Sequence, residues 1–152
     1  MAGKANIEHS TSNIEHRTGN DGRRYDLERR LLDYAVRCVR LAEKLPKTRA
    51  GNHIAKQFLR SGTSPLPNHG EAQAAESPDD FVHKLRVCLK ELRESLRWLQ
   101  LIRLVPLVSS GADVAEVGAL VKETDELIRI FVASVRTAER NRSSANAKGN
   151  LR

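Results

Sequence analysis

Arg86, Lys90, Arg93 and Arg97 are separated by four, three and four residues. At about 100° per residue this spacing puts all four on one narrow side of a helix, in a row about 17 Å long. Such a row can follow a phosphate backbone without reading bases, the chemistry of sequence-independent RNA or DNA binding. The competing reading is a solvated face, or cations paired to acids of a neighbouring helix. Arg30, Arg37 and Lys44 form a second row at heptad spacing, interrupted by Asp33 and Glu43. Other chemistry is poorly supplied. Asp80-x-x-His83 sits alone where a bundle metal centre needs paired Glu-x-x-His motifs, and His53, His69 and Glu71 repeat no ligand spacing. Cys38 and Cys88 lie on or beside apolar stripes and read as small core residues. Ser61 and Ser64 have no evident base. We therefore expect no catalytic residue, no metal and no cofactor, hence no enzyme. Ser61, Ser64, Asn68 and Glu71 recur at about one helical turn, and Glu91 could meet them, which suggests a structural polar network.

The 152 residues suit one domain, and 39% hydrophobic content suffices for one core. The net charge is +7 and the isoelectric point is near 9.8. With three Phe, two Tyr and one Trp, a platform that stacks bases on several rings is poorly supplied. Partitioned along the chain, the charge is less decisive. Residues 1–24 contribute +1 and residues 141–152 contribute +3, leaving +3 for residues 25–140. Arrangement matters more: residues 81–104 carry six bases and two acids, whereas 61–80 carry four acids and no base. The two cysteines form no C-x-x-C pair, and neither a leader nor a continuous apolar span stands out, so a reducing cytoplasmic location is expected.

Residues 1–24 are polar, without apolar periodicity, and are expected to be a disordered tail. Within it Asn-Ile-Glu-His occurs at Asn6–His9 and again at Asn13–His16. Residues 141–152 are expected to be a second, basic tail. Between them four helices are predicted. The first, Tyr25 to Leu45, carries Leu27, Leu31, Tyr34, Cys38, Leu41 and Leu45 on one stripe, with Asp26 as its cap and Pro46 as its stop. The second follows Thr48, turns Ile54, Phe58 and Leu59 inward, and must kink or break near Ser64–Asn68 because of Pro65 and Pro67. The third starts at Ser77-Pro78 and runs to about Leu104, with Phe81, Leu85, Cys88, Leu89, Leu92, Leu96, Leu99 and Ile102 inward. The fourth is capped by Asp113, reaches about Arg140, and faces the core with Val114, Val117, Val121, Thr124, Ile128, Phe131, Val135 and Ala138. The fold class is all-α, an antiparallel up-and-down four-helix bundle over residues 25–140 with disordered tails at both ends. Val87, Trp98 and Leu101 fall away from the inward stripe, where a lone bundle should be polar, and are expected to be an oligomer interface.

Several segments together carry a resemblance. They are Asp26-Leu-Glu-Arg-Arg-Leu-Leu-Asp-Tyr-Ala-Val-Arg, Leu41-Ala-Glu-Lys-Leu-Pro, Arg60-Ser-Gly-Thr-Ser with Asn68, Gly70-Glu-Ala-Gln-Ala-Ala-Glu-Ser, Asp80-Phe-Val-His-Lys-Leu-Arg and Lys90-Glu-Leu-Arg-Glu. The chain resembles the bacterial four-helix-bundle family named for the intervening sequence of 23S rRNA genes, over about residues 25–140. The resemblance implies a small bundle assembling into a ring, commonly a pentamer, with no assigned enzymatic activity. Pro67 departs from the commoner small residue before Asn68. A related bundle is the accessory protein of diversity-generating retroelements, where a basic oligomer associates with a reverse transcriptase and nucleic acid; that likeness rests on fold and charge. The expected function is thus a self-associating, non-enzymatic bundle that binds RNA or DNA through the Arg86–Arg97 face. The alternative is a protein-interaction module or accessory subunit.

Overall fold

Leu31, Tyr34, Cys38 and Leu41 recur every three or four residues, so a helix through them has one continuous apolar side, and all four are at most 1% exposed. The same logic orders the rest of the chain. The computed structural model describes residues 21–149, with side chains from residue 26 onward. It contains α1 (Asp21–Lys44), α2 (Arg49–Thr63), α3 (Pro65–Gln73), α4 (Pro78–Leu104) and α5 (Gly111–Gly149). No strand occurs among the described residues. Nor is any described helix long and apolar enough to cross a membrane.

The second predicted helix is realised as α2 and α3, interrupted at Ser64. Pro65 and Pro67 each lack the amide that would bond four residues back. Pro65 occupies the first position of α3, where that loss is tolerated. The break is local: Ser64 keeps right-handed helical angles, φ −62° and ψ −37°. Its N–H still donates to the Arg60 carbonyl at 3.2 Å, and the Asn68 N–H donates to the Ser64 carbonyl at 3.3 Å.

Cross-helix pairs set the directions. Arg30 meets Glu123, Arg37 meets Glu116 and Lys44 meets Asp113, so α5 runs opposite to α1. Arg142 meets Asp79 and Arg86 meets Glu139, so α5 also runs opposite to α4. Ser61 meets Ser95 and Glu71 meets Lys84, which sets α2 and α3 against α4 in the same way. The core between them centres on Phe58, Leu92, Leu99, Ile102, Leu120, Leu127 and Phe131, all fully buried. Each such side chain contributes about 1.5–3 kcal/mol relative to exposure.

Two glycines mark where the chain comes too close for a side chain. A Cβ at Gly51 would collide with the Pro46 carbonyl oxygen, so the turn between α1 and α2 folds directly onto its backbone. A Cβ at Gly62 would lie 2.8 Å from the Cβ and Sγ of Cys38, so α1 and α2 touch there without an intervening side chain.

Several helix ends differ from expectation. Thr48 and Ser77 do cap α2 and α4, accepting from the N–H groups of Gly51 at 3.0 Å and Asp80 at 3.1 Å. Asp26, in contrast, is internal to α1, which begins at Asp21; no proline stops the helix extending outward once Leu27 and Leu31 dock. Ser110, not Asp113, caps α5, its hydroxyl accepting from the Asp113 N–H at 3.1 Å. α5 also continues to Gly149, past the tail boundary expected at residue 141. No proline or glycine interrupts Asn141–Lys148, and Arg142 anchors the extension to Asp79 at 3.2 Å. The tail expected over residues 1–24, with both Asn-Ile-Glu-His copies, lies outside the described residues up to residue 20.

Candidate nucleic-acid interface

α4 is a suitable rod for a charged row. Ser77 caps it, Pro78 opens it, and Asp79 and Asp80 face the positive end of its dipole. Leu85, Leu89, Leu92 and Leu99 pin it to the core, which leaves Arg86, Lys90, Arg93 and Arg97 exposed along its flank. These four cations, with Leu89 and Val135 of α5, line a groove of about 390 Å³. Arg86 is tied to Glu139 across the groove. Among the described residues, Lys90, Arg93 and Arg97 make no ion pair within 4 Å.

Two acids of α4, Glu91 and Glu94, are drawn toward α2. Glu91 and Glu94 both reach Arg60 of α2; Arg60 Nη1 lies 3.2 Å from Glu91 Oε2. The guanidinium holds the Glu94 carboxyl below its usual range. Arg60 of α2 thus draws Glu91 and Glu94 toward α2, beside the cation row, and Lys90, one turn before Glu94, also helps to hold its carboxyl down. The second predicted row is unavailable to phosphate. Arg30 donates to Glu123 and Glu126, each at 3.0 Å, Arg37 to Glu116 at 2.7 Å, and Lys44 to Asp113 at 2.6 Å. That row joins α1 to α5. The opposing acids lie 69 to 96 residues away in sequence, so only the fold pairs them.

The expected interface residues divide. Val87 and Trp98 are half-buried, and only Leu101 is exposed. Trp98 packs against the core, meets the His53 ring edge-on at 6.1 Å and donates from Nε1 to Glu94 at 3.3 Å. The indole is thus covered by α2, whose N-terminal half runs along this side of α4. The larger exposed apolar residues lie elsewhere, on α1 at Leu32, Val36 and Val39, and around the α4–α5 turn at Leu104, Val105 and Val114. Val114 had been expected in the core. Val117, Thr124, Phe131, Val135 and Ala138 of α5 are buried as expected, and Leu120 and Leu127 join them.

The polar residues of α2 and α3 do not join into one network. Ser95 Oγ donates to Ser61 Oγ at 2.9 Å, both fully buried. Asn68 Nδ2 donates to the Ser64 carbonyl at 2.9 Å and to Ser64 Oγ at 3.0 Å. Glu71 is exposed and paired with Lys84 at 2.5 Å, and Glu91 pairs with Arg60. The helix break and the turn angle between positions 61 and 71 send these groups to different neighbours. Sequence reasoning missed a buried pair at the centre of the bundle, Tyr34 OH and Thr124 Oγ1 at 2.7 Å. Burial pushes the Tyr34 hydroxyl far above its ordinary value. It also pushes the thiols of Cys38 and Cys88 up to about 12, which suppresses nucleophilic thiolate. Among the described residues no three His, Cys, Asp or Glu side chains gather where they could hold a metal.

No curated protein gives a significant match. Among solved structures, the chain is similar to a protein with unknown function from the S23 ribosomal protein family of Bacteroides thetaiotaomicron VPI-5482. The identity is 28%, the TM-score is 0.66, and the match covers 74% of this chain and 97% of that one. The family model for the 23S rRNA-intervening sequence protein matches residues 24–132, from the start of α1 deep into α5. With this span and a helical fold shared with a solved relative, the chain belongs to the 23S rRNA-intervening sequence protein family.

Proposed function

We propose that this protein is a non-catalytic, self-associating bundle that holds the backbone of RNA or DNA in the groove between α4 and α5. The observation that carries this reading is the row Arg86, Lys90, Arg93 and Arg97 beside Val135, in which, among the described residues, three of the four cations make no ion pair within 4 Å while Arg60 holds the neighbouring Glu91 and Glu94. Binding of this kind is electrostatic and indifferent to sequence. The exposed apolar residues of α1 support self-association. The test is a gel-shift titration at low salt with a single-stranded RNA and a duplex DNA. Replacing Arg86, Lys90, Arg93 and Arg97 by Glu should abolish binding, and unchanged binding would remove the groove from the account.

A second reading, a protein-interaction module, is favoured by the apolar end of the bundle, where Leu104 is 77% exposed beside Val105 and Val114. On that reading Leu104→Ser abolishes capture of a protein partner and leaves nucleic-acid binding intact.

A further inference from the structure

The groove between α4 and α5 has cations on both banks. On α5, Lys122, Arg129, Arg136 and Arg140 are separated by seven, seven and four residues. At about 100° per residue they share one side of the helix, within about 40° of each other. All four are exposed. Arg136 directly follows Val135, which lines the groove. Because Glu139 reaches Arg86 and Arg142 reaches Asp79, Arg136 lies level with the interval from Arg86 to Lys90, and Arg129 with that from Arg93 to Arg97.

Some of these charges are already satisfied. Arg86 is held by Glu139 and Arg129 by Asp125 at 2.9 Å, which leaves, among the described residues, Lys90, Arg93 and Arg97 on one bank and Lys122, Arg136 and Arg140 on the other without an ion pair within 4 Å. The floor between the banks is aliphatic. Leu89 and Val135 line it, and the partly buried Val132 and Ile128 continue the same side of α5. Such a floor can seat sugars without selecting bases.

The shape of the banks selects the form of nucleic acid. Residues four, three and four apart advance about 6, 4.5 and 6 Å along a helix, so the α4 bank is a straight row. An extended single strand can lie straight along it. In a duplex each strand advances about 3.4 Å per phosphate and winds once in about 10 base pairs. Over about 17 Å its phosphates therefore turn through about half a revolution and leave the row.

We infer that the groove takes a single strand of RNA or DNA, neutralised from both banks, with Arg136 and Arg140 of α5 contacting phosphates alongside Lys90, Arg93 and Arg97 of α4. This rests on the proposed nucleic-acid binding and narrows it to one ligand form. The groove is complete within one chain and asks nothing of the assembly.

The test uses the full chain and fluorescence anisotropy at low salt, with labelled strands of about 12 nucleotides, uridine RNA and thymidine DNA, and a duplex of equal length. A duplex has the higher charge density, so charge attraction alone would favour it. The single strands should instead bind at least about tenfold tighter than the duplex. Arg136→Glu with Arg140→Glu should weaken strand binding about tenfold or more. Arg40→Glu with Arg49→Glu, the same change of net charge at exposed positions of α1 and α2, should weaken it far less. Duplex binding as tight as strand binding, or α5 and control variants that behave alike, overturns this inference. If that binding is still lost when the four α4 cations become Glu, the proposed function stands. No binding of either form overturns both.

Discussion

The Arg60 guanidinium of α2 lies 3.2 Å from the Glu91 carboxylate of α4, and the same group also holds Glu94. This relationship gives α4 two electrically different sides. Glu91 is only 8% exposed, so its charge requires a partner. We expect Arg60→Ala to destabilise the bundle by about 1–3 kcal/mol, read as a lower urea midpoint, because a buried carboxylate loses its donor. Glu91→Gln in the same chain should recover part of the loss. Equal losses in the single and double variants would show that Arg60 acts through something other than Glu91.

Glu139 is paired with Arg86, so on the proposed reading a phosphate has to compete with it for that guanidinium. Glu139→Gln should therefore tighten binding to single-stranded RNA several-fold in a low-salt titration, and the gain should shrink as salt rises. Arg93→Ala should instead weaken binding and reduce the slope of log K against log salt by about 0.7 for single strands. A slope unchanged by Arg93→Ala would count against a phosphate contact there.

Gly62 is required by contact with Cys38 rather than by backbone conformation. Gly62→Ala should cost about 1–3 kcal/mol through overpacking of α1 against α2. Adding Cys38→Ala opens space for the new methyl, so the double variant should lose less than the two separate effects combined. Strict additivity in chemical denaturation would reject the contact as the cause.

The two thiols link stability to alkaline pH. Both have folded values near 12 against an ordinary value of 9.0, raised chiefly by burial. Their contribution is fully present below about pH 9 and is lost as pH rises toward 12, because the unfolded chain ionises first. Stability should fall by up to about 1.4 kcal/mol per pH unit per thiol over that window. Correspondingly, a thiol reagent at pH 8 should label the native protein far more slowly than the urea-unfolded chain. Fast native labelling would contradict the burial.

The linear pattern located the helical body, the stops at Pro46 and before Pro106, the start of a helix after Thr48, the cap at Ser77, and most core positions of α1 and α4. These are local matters, decided by periodicity, missing amides and hydroxyl caps. The inward side of α5 was harder to read, because apolar residues at Val114, Val121 and Ile128 offered a rival stripe to Leu120 and Leu127, and the partner helices decide between them. The role of Trp98 was likewise hidden. Its covering residue, His53, lies on a different helix.

The row Arg86, Lys90, Arg93 and Arg97 was determined by sequence alone, since helical geometry places residues four and three apart on one side whatever the rest of the chain does. Which cations remain free of acids was decided only by tertiary structure. Arg30, Arg37 and Lys44 form a second row, interrupted by Asp33 and Glu43, yet α5 presents Glu123, Glu116 and Asp113 to them. An ion pair needs its partner within a few ångströms, and for residues separated by 69 to 93 positions that distance is set by the packing of helices, not by spacing along the chain.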